Sequence, residues 1–312
     1  MKNTRRILGC MLITASLAFT ACETGKKDDN SSLLLLLLSG GGKAVINIAS
    51  IPGVTPPVLG EIPVTSITET AQYTGTVTWD GGWAWSARFG GDKAYMATIT
   101  LTAKTGYTLT GVTANFFTVA GASSVTNSDD SGVITAVFPA TASVGNIGDS
   151  ALGGKVGYIL QSSDTGYVAG EQRGLIAATE DQSTGVEWIS GGSTQSTLVP
   201  GGTGTALGTG TANTDRIIAQ AVAAGNTTPT SYAAGLARAY NAGGYTDWYL
   251  PSKDELSKLC TNRVSIGGFA SAWYWSSSEA GTAYIAWSQY FGGGTMGGAK
   301  FGSWRVRAVR AF

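Results

Sequence analysis

The segment Trp273-Tyr-Trp-Ser-Ser-Ser-Glu279 predicts a β-strand, and further strand sequence follows at Trp304-Arg-Val-Arg-Ala-Val-Arg-Ala-Phe312. Both contain aromatic or β-branched residues, which favour sheets, and residues 305–308 alternate between charged and apolar. Between Ala280 and Trp304 the only charged residue is Lys300, and small and aromatic residues predominate. Rigid aromatics among small residues are typical of binding surfaces, although a Gly-rich loop without a partner would have the same composition.

The composition excludes several functional classes. The length of 312 residues suggests two domains plus accessory segments, and 45 glycines favour loop-rich β structure. The net charge is zero and only 13% of residues are charged, so no basic surface for nucleic acid is expected. Histidine is absent, which rules out Ser–His and Cys–His nucleophile pairs and His-based metal sites. These common catalytic and metal-binding arrangements are therefore excluded, and our leading expectation is no enzyme, no cofactor and no metal site.

The N-terminal segment predicts export and lipidation. Residues 1–21 join a basic start to an apolar run that is too short to span a bilayer stably, as in a lipoprotein signal peptide. The run ends in Phe19-Thr-Ala-Cys22, which resembles a bacterial lipobox and places the lipid on Cys22. Ordinary secretion with cleavage near Ala21 is the alternative. Acyl chains on Cys22 would hold a surface-exposed lipoprotein at the outer membrane, with no other membrane contact.

Residues 22–60 predict a flexible, lipid-anchored stalk. The run Leu33–Leu38 is far below transmembrane length, and Ser39-Gly-Gly-Gly42 has flexible linker chemistry. Prolines stiffen the stretch that follows, at Pro52, Pro56, Pro57 and Pro63.

Residues 61–142 predict an all-β module. Tyr95, Ala97, Ile99 and Leu101 alternate with polar positions, and further strands are expected at 108–113 and 133–138. The pattern favours a β-sandwich and resembles Ig-like modules of bacterial surface proteins, which usually act as spacers. The tryptophans at 79, 83 and 85 are compatible with a sugar platform, but packing in the core or under loops is the interpretation we prefer.

Residues 143–312 mix strands, Gly-rich loops and helices. Strands are expected at 156–160 and 174–178, and Asn213-Thr214 is expected to cap a helix. Ser252, with Glu255 three residues later, predicts a capping box at the start of another helix. The segment Gly201–Gly208 lacks the spacing of a nucleotide-binding motif, so it predicts a surface loop.

Several motifs in this second module are similar to one bacterial domain family. They are Gly166-Tyr-Val-Ala-Gly-Glu171, Gly174-Leu-Ile-Ala-Ala178, Asp181-Gln-Ser-Thr-Gly185, Gly244-Tyr-Thr-Asp-Trp-Tyr-Leu-Pro-Ser252, Glu255-Leu256, Tyr274-Trp-Ser-Ser-Ser-Glu279 and Arg305-Val-Arg-Ala-Val-Arg310. That family includes the C-terminal domain of a collagen-like adhesin and is grouped with C-type-lectin-like folds. The resemblance implies an α+β fold class, with a C-type-lectin-like C-terminal domain preceded by an all-β Ig-like sandwich module.

Together with the lipoprotein signal, the C-terminal loop resembles the variable lipoproteins of spirochaetes that are targets of diversity-generating retroelements. In that class, error-prone reverse transcription rewrites codons near the 3′ end of the gene, and a lectin-like fold related to formylglycine-generating enzymes displays the varied residues. Calcium motifs of sugar-binding lectins (Glu-Pro-Asn, Gln-Pro-Asp) do not occur here, and Cys260 is the one cysteine available where those enzymes use a pair. We therefore expect neither calcium-dependent lectin activity nor oxidase activity.

The resemblance implies two classes of residue in the C-terminal segment. The displayed, ligand-binding positions would be Ser271, Ala272, Trp273, Ala280, Gly281, Thr282, Ala283, Tyr284, Ser288, Tyr290, Gly292, Gly293, Thr295, Met296, Gly297, Gly298, Ala299, Phe301, Gly302, Ser303 and Trp304. The scaffold positions would be Tyr274, Trp275, Ser276, Ser277, Ser278, Glu279, Ala286, Trp287, Phe291, Gly294 and residues 305–310. The expected ligand is a protein, with a glycan as the alternative.

Two other functions fit the same sequence. One is a fixed-specificity adhesin for glycans or host matrix, and the other is a surface hydrolase that uses Asp247 or Glu279. A neighbouring reverse transcriptase gene, with an adenine-rich repeat of the 3′ end, would favour a diversified receptor over the fixed adhesin.

Overall fold

The computed structural model describes residues 42–312 except 82, 84 and 295. The predicted signal peptide, Cys22, the first part of the predicted stalk and Thr295 lie outside the described residues. Residues 44–312 form one compact unit of strands with a few helices, in agreement with the predicted α+β class. No helix among the described residues is both long enough and apolar enough to cross a membrane.

The first module is built on a four-stranded antiparallel sheet of order β3-β4-β8-β7, flanked by the short parallel pairs β1-β5 and β2-β6. In chain order its strands are β1 (Ala44–Val45), β2 (Ser50–Ile51), β3 (Tyr73–Trp79), β4 (Ala94–Ala103), β5 (Tyr107–Thr108), β6 (Thr118–Val119), β7 (Ser124–Asn127) and β8 (Val133–Ala140).

The alternation in β4 is confirmed, because Tyr95, Ala97, Ile99 and Leu101 are all buried in the core of the module. The strand predicted at 108–113 is wrong beyond residue 108. The chain turns there, and Gly111 adopts a φ of +98°, a left-handed conformation that suits glycine. The strand predicted at 133–138 is present and continues as far as Ala140.

The module also includes residues 44–60, which the sequence assigned to the stalk. Ile46, Ile51 and Val54 are buried in the same core, and β1 and β2 each pair with a later strand. A flexible stalk is therefore wrong for this stretch, because burying these side chains is more favourable than leaving them in solvent.

The second module contains two sheets, of order β17-β11-β10-β9 and β12-β16-β13-β14-β15. Their strands are β9 (Ser150–Ala151), β10 (Gly154–Ile159), β11 (Gly174–Ala177), β12 (Ser183–Val186), β13 (Trp273–Glu279), β14 (Ala286–Tyr290), β15 (Met296–Gly297), β16 (Trp304–Val306) and β17 (Val309–Ala311). The helices are α1 (Gly192–Gln195), α2 (Gly210–Ala223), α3 (Ala233–Ala239), α4 (Lys253–Thr261) and α5 (Arg263–Ile266), with 3₁₀ turns at Pro229–Ser231 and Ala242–Gly244.

Of the two helix starts predicted from the sequence, one is confirmed and the other is wrong. The capping box at Ser252 is confirmed, because Ser252 Oγ accepts from Glu255 N and the Glu255 carboxylate accepts from Ser252 N. Helix α2 begins at Gly210, so Asn213 and Thr214 lie inside it rather than at its cap. Both are fully buried, and their side chains bond to backbone from Gly204 and Leu250 instead.

The two modules share a buried interface. Trp85 packs with Tyr158 and Leu175 of the second module, and its Nε1 donates to Gly174 O at 3.2 Å. Arg88 Nε lies 2.9 Å from Asp247 Oδ2, across the same boundary. Trp85 is therefore a packing residue, as preferred from the sequence, rather than part of a sugar platform.

Candidate functional site

The C-terminal sheet brings four aromatic rings together. Trp273 lies opposite Tyr290 in the β13-β14 pair, and their ring centroids are 5.6 Å apart. Trp304 enters from β16, at 6.0 Å from the Trp273 ring and 5.9 Å from the Trp275 ring. Trp275 is fully buried, whereas the other three rings are only partly covered. The buried ring therefore supports a row of accessible ones.

A crossover segment, residues 298–303, passes from β15 at one edge of the sheet to β16 beyond β13. It begins where Gly297 pairs with Ser288, and Lys300 N donates to Tyr284 O at 2.9 Å. Glycine is needed at 298, because a Cβ there would lie 2.5 Å from Ala286 O. The crossover thus lies close against the β13-β14 hairpin.

Lys300 anchors this crossover in the core of the site. Its side chain is fully buried, and Nζ donates to Glu279 Oε1 at 2.5 Å and to Thr197 O at 2.8 Å. Nζ also lies 4.8 Å from the centroid of the Trp188 ring. The Glu279 carboxylate in turn accepts from Val199 N at 3.1 Å. One buried ion pair therefore joins β13, the crossover and the loop at 196–203.

The residues beside this anchor point outward. Phe301 follows Lys300 directly and is 63% exposed, and Tyr284, in the turn that Lys300 N contacts, is 57% exposed. Together with Trp273, Tyr290 and Trp304 they make up what we call the aromatic surface. The structure thus leaves these five aromatics, all of them predicted ligand-binding positions, at least partly accessible.

The other predicted ligand-binding residues divide by exposure. The exposed ones are Ser271, Gly281, Thr282, Gly292, Gly293 and Ser303, and the partly exposed ones are Ala272, Ala280, Ala283, Met296, Gly297, Gly298, Ala299 and Gly302. Ser288 is fully buried, so its prediction as a displayed residue is wrong. It lies opposite Trp275 and beneath the crossover, where its Oγ donates to Gly297 O.

The predicted scaffold is mostly buried, and its serines bond to strand β14 and to the loop that contains Gly204. Ser276 Oγ donates to Trp287 O at 2.7 Å, and Ser278 Oγ donates to Gly204 O at 2.6 Å. Tyr274, Ala286 and Phe291 are also buried. Trp287 is instead partly exposed, and Gly294 lies in an exposed turn.

The C-terminal arginines are buried and support the sheet through ion pairs with partly exposed aspartates. Arg307 Nη2 lies 2.6 Å from Asp181 Oδ1, and Arg310 Nε lies 2.9 Å from Asp247 Oδ1. Both arginines are almost completely buried, which agrees with their predicted scaffold role.

One protein-family model matches this whole region. Residues 177–310 match the family model described as Lcl C-terminal domain. The match runs from the end of β11 into β17, so it contains every residue of the aromatic surface and the Lys300 anchor. It fits a lectin-like or adhesin-type C-terminal domain, and it does not extend into the first module. The chain matches no curated protein.

Within the Lcl C-terminal match, the carboxylates considered for catalysis have structural partners. Asp247 is bound by Arg88 and Arg310, and Glu279 by Lys300. Glu255 is fully buried, and desolvation raises its pKa to about 7. No group of three or more potential metal-ligating side chains occurs among residues 42–312 outside the three undescribed positions.

Sequence reasoning missed part of the site. Leu198 is 51% exposed and Ile285 is 39% exposed, beside the residues that Lys300 and Glu279 hold. In the sequence, Lys300 is recognisable only as the lone charge of its segment. A single charged residue in an otherwise uncharged segment was a usable signal, because a buried charge needs a partner and Glu279 is the nearest acid before it in sequence.

Proposed function

We propose that this protein is a lipid-anchored bacterial surface receptor whose lectin-like C-terminal module binds a protein ligand through the aromatic surface. The observation that carries the proposal is the exposure of Tyr284 and Phe301 on turns that the buried Lys300–Glu279 pair holds in place. Large exposed aromatics on a rigid support are the side chains that supply most of the binding energy in protein interfaces.

The electrostatics of the site favour an uncharged contact. Between Ala280 and Trp304 the one charged residue, Lys300, has no exposed side-chain surface and is neutralised by Glu279. Binding at the aromatic surface would then depend on ring burial rather than on ion pairs, and added salt would weaken it little. A fixed-specificity adhesin for glycans, which would stack sugars on the same rings, is the alternative.

The proposal includes diversification of the displayed residues by a retroelement. Its support is the separation of roles in the fold. Trp275, Ser276 and Lys300 are buried in the support, whereas Tyr284 and Phe301 lie on turns, where substitution leaves the core intact. Resequencing the locus in sister isolates tests this idea. Substitutions confined to displayed positions are expected, and an invariant 3′ end would contradict it.

Binding itself is tested with ligands selected against the intact chain from a displayed protein library. Tyr284→Ala combined with Phe301→Ala should weaken the selected complexes at least about tenfold, as expected for loss of interface anchors. The double variant Val133→Ala with Met96→Ala is the control, since both residues are exposed and lie in the first module. Equal affinity in all three proteins would refute the proposal.

A further inference from the structure

A cavity of about 320 Å³ opens beside the Lys300–Glu279 pair, and most of its lining lies outside the predicted site. It is lined by Leu198, Val199, Gly202, Thr203, Glu279 and Gly281. Four of these six residues come from the loop at 196–203, far from the C-terminal segment in sequence. The volume is at the small end of the range for ligand pockets, roughly 300–1,000 Å³, and suits a single side chain.

We infer that this cavity is an anchor pocket that takes one uncharged, apolar side chain of a protein partner. The inference rests on the proposed function, because it names the class of partner and extends the contact beyond the aromatic surface.

The charge of the cavity excludes an ionic ligand. Glu279 is the only charged residue in its lining, and it is already paired with Lys300, whose side chain is fully buried. A ligand cation would compete with an ion pair that is in place, and a ligand anion would face a carboxylate. A neutral group is the one that enters without an unpaired charge.

Part of the hydrogen-bonding capacity of the cavity is already in use. Val199 N donates to the Glu279 carboxylate at 3.1 Å, and Thr203 Oγ1 accepts from Glu279 N at 2.7 Å. No aromatic ring lines the cavity, so a sugar would find no stacking platform there. Leu198 and Val199 offer apolar contact instead, which favours an aliphatic side chain.

The cavity lies next to the aromatic surface. Gly281 lies in the same tight turn as Tyr284, which is closed by Ala280 N donating to Ile285 O at 3.0 Å. Leu198, 51% exposed, forms the rim on the other side. A partner that contacts Tyr284 therefore reaches the pocket with a neighbouring residue.

The test uses three small probes on the full isotope-labelled chain: N-acetyl-leucinamide, N-acetyl-lysinamide and methyl glucoside. Only the leucine probe should give saturable shifts of the Val199, Thr203 and Gly281 amides, with a Kd on the order of millimolar, as expected for so small a ligand. Leu198→Asp should weaken its binding at least about tenfold, because it brings a charge to the rim. Val133→Asp is the matched control, since Val133 is 50% exposed and lies in the first module.

Three outcomes would overturn the inference: no saturable shift with the leucine probe, binding of the lysine probe or the glucoside at these residues, or equal binding by the Leu198→Asp variant. Failure here is distinguishable from failure of the proposed function, because that function is measured with whole protein ligands and with Tyr284 and Phe301.

Discussion

Lys300 and Glu279 form a buried ion pair at the centre of the C-terminal site, with 2.5 Å between Nζ and Oε1. Each partner comes from a different part of the sheet, the crossover and the end of β13. The displayed turns at Tyr284 and Phe301 flank this pair, so an unexposed interaction sets the geometry of an exposed surface.

Breaking this pair should destabilise the fold. Lys300→Met or Glu279→Gln alone should lower the free energy of unfolding by about 3–5 kcal/mol, because each leaves a buried group unpaired. The double variant should recover part of that loss, which denaturant titration of all three proteins would show. Lys104→Met, in the more exposed pair with Glu69, is the control and should lower the free energy of unfolding by no more than about 1 kcal/mol. Additive losses in the double variant would mean that the two side chains do not stabilise each other.

The aromatic residues should separate into binding and folding roles. Tyr284→Ala and Phe301→Ala should change stability by no more than about 0.5 kcal/mol, because both side chains are exposed. Trp275→Ala should cost about 3–5 kcal/mol, because it empties a fully buried site. Trp287→Ala should fall between these limits, since its ring is partly exposed beneath Lys253. Thermal and chemical unfolding of the same panel measures this order, and a loss for Phe301→Ala as large as for Trp275→Ala would place Phe301 in the core.

Glu255 should make stability depend on pH near neutrality. Burial raises its pKa from 4.5 to about 7, so the folded protein binds a proton that the unfolded chain releases between those values. This contribution is fully present below about pH 4.5 and is lost as pH rises through about 7, with a slope of at most about 1.4 kcal/mol per pH unit. No histidine titrates in that range, so Glu255→Gln should flatten the profile between about pH 5 and 7. Unfolding curves at several pH values compare the two proteins, and identical slopes would contradict the raised pKa.

The two modules should stabilise each other. A fragment of residues 143–312 loses Trp85, which packs against Tyr158 and Leu175, and also loses the Arg88–Asp247 ion pair. It should therefore unfold at a lower denaturant concentration than the full chain. Trp85→Ala in the full chain should lower the free energy of unfolding by roughly 3 kcal/mol, because it removes the same packing contact. A fragment as stable as the same region of the full chain would show that the interface contributes nothing to folding.

Lipidation is expected at Cys22. Mass spectrometry of the purified N-terminus should find acyl chains on this residue, and Cys22→Ser should release the protein from membranes. Cys10→Ser is the matched control, because Cys10 lies within the predicted signal peptide. An N-terminus without acyl mass would leave ordinary secretion as the explanation.

Local features of the fold were readable from neighbouring residues. The alternation of Tyr95, Ala97, Ile99 and Leu101 and the capping box of Ser252 with Glu255 both depend on spacings of a few residues. The prolines between residues 52 and 63 led to the wrong prediction of a stalk, because a stiff backbone does not show whether side chains are buried. In the structure, Ile51 and Val54 lie in the core.

By itself, the sequence predicted several strands and the capping box of Ser252, because these depend on local spacing and side-chain type. The division of the C-terminal residues into support and surface came from the family resemblance, and it was wrong for Ser288. Only the tertiary structure decided which residues of the site meet. Lys300 finds Glu279, Val199 reaches Glu279 from 80 residues away, and Trp85 bonds to Gly174 across 89 residues. Ser288 illustrates the same limit. Its Oγ donates to Gly297 O of β15, and the crossover that follows is anchored through Lys300 to Glu279 and Thr197 rather than to residues near Ser288 in the chain.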